Sequence, residues 1–161
     1  MSDVDPAVFR QLLGRFTTGV TVLTTLDQAG RPAGMTASSL AAVSLDPPLL
    51  LVCVDRRTDF RPLLERAGAF AVNVLARDQE ALARQFATDG IDRFGGVSWH
   101  RGAEGLPMLD GSVAHIVCQQ FDRRDAGDHI VFFGRVIGGA AFDRPPLLHF
   151  RGRYTTIVDL P

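Results

Sequence analysis

Phe9, Leu12, Leu13 and Phe16 recur three and four positions apart, the spacing that puts apolar side chains on one face of a helix. Asp5 is placed to cap that helix and Pro6 suits its first position. Over residues 18–26 the period falls to two, with Val20, Val22 and Leu26 on one side and Thr21, Leu23 and Thr25 on the other, which predicts a strand. The turn chemistry of Asp27-Gln28-Ala29-Gly30-Arg31-Pro32 then predicts a hairpin into a second strand over about residues 33–44. Residues 49–54 form an unbroken apolar run ended by Asp55-Arg56-Arg57-Thr58, the pattern of a strand buried on both faces.

Asp59 is expected to cap a short helix carrying Leu63, Leu64 and Ala67 and stopped at Gly68. A strand over residues 70–75 follows, then a helix capped by Asp78 with Leu82 and Phe86 four apart. Residues 88–111 read as a Gly-rich, polar connection holding the only tryptophan, Trp99. Two long strands are expected over 112–121 and 128–137, the second stopped by Gly138-Gly139. Short strands over 147–150 and 154–158 close the chain. Strands outnumber helices, and hairpins or single-helix crossovers connect them. The pattern predicts one mainly β domain over residues 1–161, a closed or partly closed antiparallel barrel with peripheral helices.

Composition narrows the function classes. A chain of 161 residues with 46% hydrophobic and 22% charged residues is long enough for one stable core. A net charge of −1 gives no general attraction to nucleic acid or an anionic membrane, and there is no recognition motif for nucleic acid. All 17 basic residues other than histidine are arginine, so chemistry that depends on a lysine is excluded. Cys53 and Cys118 lie inside apolar runs, as expected of buried thiols in a reducing compartment. The opening Met-Ser-Asp-Val-Asp-Pro lacks the basic start and apolar stretch of a signal peptide, and no apolar run has the length of a membrane span. A cytoplasmic protein is the expectation.

The chain has no GxGxxG after its first strand, no P-loop, no GxSxG elbow and no HExxH. His100, His115, His129 and His149 lack metal-ligand spacing, so no metal is expected. Two features carry other chemistry. Gly34-Met35-Thr36-Ala37-Ser38-Ser39-Leu40 lines up hydroxyls at the start of an apolar segment, where they make either an anion-binding concavity or a polar strand edge. Ala126-Gly127-Asp128-His129 opens a very apolar strand and either projects an imidazole from a barrel rim or forms a plain turn.

These pieces occur in a fixed order. Phe16-Thr17-Thr18-Gly19-Val20-Thr21-Val22 is followed by the Gly34 segment, Ser44-Leu45-Asp46-Pro47-Pro48, the Gly127-Asp128-His129 motif and Pro146-Leu147-Leu148-His149-Phe150-Arg151-Gly152-Arg153-Tyr154. In that order the chain resembles the short flavin reductases, the reductase partners of two-component flavin-dependent monooxygenases. The resemblance implies a homodimeric FMN-binding split β-barrel of Greek-key type that uses FMN or FAD and NADH or NADPH, and hands reduced flavin to a monooxygenase. It implies flavin contacts from Thr36, Ala37, Ser38, Ser39, Asp55, Arg57, Thr58, Gln85, Phe86 and Ala87. It implies nicotinamide contacts from His129, as a positioning residue, and from Tyr154. Two positions depart from the family pattern: His149 stands where an aromatic or bulky apolar residue is usual, and Ser38 where several relatives carry Asn. Alternatives that share the fold are a flavoprotein holding FMN tightly for another acceptor and a non-catalytic flavin-binding module.

Overall fold

The computed structural model describes residues 3–157. The first helix, α1 (Pro6–Leu13), starts as expected: the Asp5 carboxylate accepts from the Ala7 and Val8 amides at 2.7 and 3.4 Å. None of its apolar side chains is buried within this chain.

The strand expected over 18–26 is two strands, β1 (Thr18–Gly19) and β2 (Thr21–Leu26), divided at Val20. Val20 donates its amide to Leu147 and accepts at its carbonyl from Leu75, so the chain changes sheets there without losing a backbone bond. β2 is buried on both faces. Its threonines meet that condition by giving their hydroxyls to carbonyls: Thr21 to Ala37, Thr24 to Pro107 and Thr25 to Ala69.

β2 pairs with β3 (Pro32–Ala37), the expected hairpin, but β3 stops seven residues short of its expected end. Residues 38–40 leave the sheet, and β4 (Ala41–Leu45) pairs instead with β5 (Pro48–Asp55). β5 corrects a second expectation. Leu50, Val52 and Val54 are buried, whereas Leu49, Leu51 and Cys53 are half-exposed, so only one face of this apolar run enters the core.

The remaining elements are α2 (Arg61–Arg66), β6 (Ala69–Val74), a 3₁₀ turn Arg77–Gln79 leading into α3 (Glu80–Phe86), and β7 (Trp99–Arg101) paired with β8 (Pro107–Leu109) in the stretch expected to be a loop. Then come β9 (Ala114–Ala126), β10 (His129–Ala141), β11 (Leu147–Phe150) and β12 (Arg153–Thr156). Val158, expected in the last strand, lies outside the described residues. Neither predicted aspartate cap forms: Asp59 accepts from Arg93 and Asp78 from Arg144, because an arginine from another segment competes for each carboxylate. Gly138 and Gly139 do not stop β10 either. A Cβ on Gly139 would sit 2.4 Å from the His115 carbonyl, so the glycine there permits close approach of β9, and pairing continues to Ala141.

The main sheet is antiparallel throughout, in the order β3-β2-β6-β9-β10-β5-β4, and it curls until Leu23 and Ala37 on one side pack with Val52, Val54 and Phe132 on the other. A second core lies outside this curl. Val22, Leu75, Ala83, Phe86, Leu109 and Leu147 join the sheet to α3, the β7–β8 hairpin and the small sheet β1-β11-β12.

Candidate flavin and nicotinamide site

One side chain ties the segment after β3 to β5, near the other end of the curled sheet. The Ser39 hydroxyl donates to the Cys53 carbonyl at 2.9 Å and accepts from the Cys53 amide at 3.0 Å. This reproduces the exchange of two bonds that a paired strand residue would make, so Ser39 clasps the chain after β3 onto β5. Thr36 is also engaged structurally, donating its hydroxyl to the Ala83 carbonyl of α3 at 2.7 Å. Two of the three hydroxyls in the Gly34 segment are thus bound to backbone. Ser38, half-buried between them, makes no side-chain hydrogen bond among the described residues.

The clasp brings the ends of β3 and β5 to one rim. Just beyond it, Asp55 holds Arg57 in a two-pronged pair, Arg57 Nε to Oδ1 at 3.1 Å and Nη2 to Oδ2 at 2.7 Å, and also accepts from the Arg57 amide at 2.8 Å. The Arg57 guanidinium holds the Asp55 carboxyl well below the usual carboxylate range, and Asp55 in turn raises Arg57. Arg57 therefore faces solvent already paired, with its remaining N–H groups available to an incoming anion. Thr58 caps the same loop, its hydroxyl donating to the Asp55 carbonyl at 3.0 Å.

His129 stands directly opposite Asp55 across the β5–β10 ladder. It follows the two-residue turn Gly127-Asp128, in which Gly127 takes φ +62°, a conformation that favours glycine. The turn sets the Asp128 carboxylate 2.7 Å from His129 Nδ1. With the carboxylate accepting, the proton sits on Nδ1, and Nε2 is left for a ligand. The His129 hydrogen bond is the main cause of the lowered Asp128 pKa. Arg56 steadies this tip: its amide donates to the Asp128 carbonyl, its Nε to the Gly127 carbonyl at 3.2 Å, and its Nη2 pairs with Asp125 at 2.5 Å. Sequence reasoning assigned roles to neither Asp128 nor Arg56. The Gly-Asp pair before His129 was a local signal for the first; the second depends on strand pairing.

Gln85, Phe86 and Ala87 end α3, which Thr36 fastens to β3. The Phe86 side chain is fully buried and abuts Gly34, so its contribution is packing, whereas Ala87 is exposed. Gln85 donates to the carbonyls of Arg93 and Gly95 at 3.0 and 2.9 Å. Tyr154 lies on β12, its ring 4.9 Å from the Arg84 guanidinium and 5.8 Å from the His149 ring. It is thus tied to the α3 side of the site, and no hydrogen bond or ring contact joins it to His129 among the described residues.

This donor set fits a flavin. Ser38 is unengaged, and the Thr18 hydroxyl, on the residue opposite His149, is buried with no partner among the described residues, a state that leaves a polar group to be satisfied by something else. Neither thiol offers a nucleophile: burial raises the pKa of Cys53 and pushes Cys118 up to about 12.

Comparison with known proteins places the chain in a family. Residues 13–158 match the family described as the flavin reductase-like domain. The chain is 44% identical over 155 residues to the reductase subunit HsaB of a flavin-dependent monooxygenase from Rhodococcus jostii, covering 96% of this chain and 79% of that protein. Among solved structures, nitrilotriacetate monooxygenase component B from Mycobacterium thermoresistibile superposes with a TM-score of 0.90 at 41% identity, covering 96% of this chain and 89% of that one. The NADH:FAD oxidoreductase SgcE6 of Streptomyces globisporus, in complex with NAD and FAD fragments, gives a TM-score of 0.90 at 39% identity over 98% of both chains. The chain belongs to the flavin reductase-like family, and its fold and activity are those of an NAD(P)H-dependent flavin reductase.

Proposed function

We propose that this protein transfers a hydride from NADH or NADPH to FMN or FAD at the rim where β3, β5 and β10 meet, and passes the reduced flavin to a monooxygenase. The observation that carries the reading is the convergence of His129, Asp55 and Arg57 beside the clasped Ser38-Ser39 strand end. When bound, the flavin and nicotinamide supply the redox chemistry themselves. The chain's task is to hold the two rings in contact and keep water out. Ser38 offers its hydroxyl to the flavin, Arg57 offers charge to its phosphate, and Thr36 and Ser39 hold the strand that presents Ser38. His129 Nε2, aimed by Asp128, orients the carboxamide side of the nicotinamide, and Tyr154 of β12 is assigned to the same ligand from the α3 side of the site.

The reading extends to one domain over residues 1–161 that works as a homodimer in the cytoplasm. The apolar face of α1, with Phe9, Leu12 and Leu13, and Phe16 just beyond it are exposed, with none of these side chains buried among the described residues. A 580 Å³ apolar groove between β4 and the end of β10 carries Leu45, which is 96% exposed. Both surfaces support association of two copies. The free state of both cysteines accords with a reducing compartment.

The test is anaerobic turnover of NADH and NADPH by the purified protein with added FMN, FAD or riboflavin. Rapid oxidation that requires added flavin is expected. Oxidation supported by retained flavin alone would favour the tight flavoprotein, and flavin binding without turnover would favour the carrier module.

A further inference from the structure

Arg93 lies in the loop after α3, its side chain only 10% exposed, and its guanidinium reaches three separate segments. Nη1 donates to the Gly34 carbonyl of β3 at 3.0 Å and to Asp59 Oδ1 at 2.8 Å. Nε donates to the Thr88 carbonyl at 2.9 Å, and Nη2 pairs with the Asp89 carboxylate. Its own carbonyl accepts from the Gln85 side chain.

The positions of these acceptors are informative. Gly34 precedes Thr36 by two residues, Asp59 follows Thr58 directly, and Thr88 and Asp89 follow Ala87 directly. The three segments assigned to flavin are therefore the three that one cation draws together. No ladder bond joins the loop at Asp59 or the end of α3 to β3, so their spacing relative to the strand depends on side chains such as this one. Only a planar fork can serve acceptors in these several directions at once; an ammonium on a flexible stem cannot hold the same geometry. The next residue, Phe94, sets its ring edge-to-face against Phe86 at 5.0 Å, so the loop is also fixed by packing and the guanidinium is left to set the register.

We infer that Arg93 is a positioning residue for flavin, spacing the β3 end, the Asp55–Thr58 loop and the end of α3 without touching the ligand itself. This rests on the reading of that rim as the flavin site.

The experiment uses the full chain, with FMN and FAD as probes, and measures flavin affinity by fluorescence quenching and the KM for flavin and for NADH at steady state. Arg93→Met is expected to raise flavin Kd and KM about tenfold, the scale of lost charge-assisted hydrogen bonds. Turnover at saturating flavin and the KM for NADH should stay within about twofold. Arg93→Lys should recover little of the loss, and added methylguanidinium should restore flavin affinity to Arg93→Met but not to the wild type. Should Arg93→Met fail to fold, Asp59→Asn, which weakens one tie at an exposed carboxylate, should still raise flavin KM with an unchanged melting temperature. Unchanged flavin affinity in Arg93→Met, or full recovery in Arg93→Lys, overturns the inference. Ser38→Ala and Arg57→Gln tell the two failures apart. If they weaken flavin while Arg93→Met does not, only the positioning role falls; if none of the three does, the flavin site itself is elsewhere.

Discussion

His129 and Asp55 face each other across a strand pair, yet their carboxylate neighbours do different work. Asp128 fixes the proton of His129 on Nδ1, so His129→Ala removes an oriented nitrogen from the nicotinamide side and leaves the clasped strand untouched. We expect the KM for NADH to rise about tenfold and hydride transfer to slow, with flavin Kd within about twofold. Loss of flavin with unchanged NADH kinetics in stopped-flow measurements would reverse the assignment. Asp55 instead locks Arg57. Its folded pKa lies below its unfolded value, so its contribution to stability is present above about pH 4 and fades as pH falls from there through the lowered folded value. Urea titrations should therefore show wild type exceeding Asp55→Asn at pH 6, with the margin closing below about pH 4. Both residues stood out in the sequence as polar groups bordering apolar runs, Asp55 after one and His129 before another. Their partners were less legible: Asp128 is a neighbour in sequence, but Asp55 and His129 meet only because β5 and β10 pair.

The strand end that carries the hydroxyls behaves as two kinds of residue. Ser39 supplies both bonds that the Cys53 backbone would otherwise lack, so Ser39→Ala should cost about 1–3 kcal/mol in denaturant unfolding. Ser38 has no such duty, and Ser38→Ala should change stability by less than about 0.5 kcal/mol while weakening flavin binding. The reverse ranking would mean that Ser38 is the structural hydroxyl and Ser39 the ligand contact. In the sequence the two serines are indistinguishable, and a strand expected to run on to Ser44 hid the departure of residues 38–40 from the sheet. Elements that depend on local signals were legible: the Asp5-capped helix, the β2–β3 hairpin and the Gly127-Asp128 turn. Elements decided by competition were not. Asp59 and Asp78 have every local qualification of a helix cap and serve distant arginines instead.

At the scale of the molecule, α1 is an amphipathic helix with its apolar face turned outward, Phe16 just beyond it is 73% exposed, and an apolar groove runs beside Leu45. Sedimentation equilibrium should find two copies, and Leu12→Glu with Phe16→Glu should shift the protein toward the monomer, because charge placed in a buried apolar contact is costly. A wild-type monomer at micromolar concentration would show that these surfaces serve something else. Periodicity and turn residues by themselves determined a mainly β chain, and the order of short motifs carried its resemblance to the flavin reductases, because each of those signals is written within a few residues. The tertiary structure alone decided which side chains are free to meet a ligand and which are spent tying the strands together, because a hydroxyl or guanidinium takes its role from whichever acceptor the fold brings within 3 Å, and Ser39 finds one 14 residues away and Arg93 one 59 residues away.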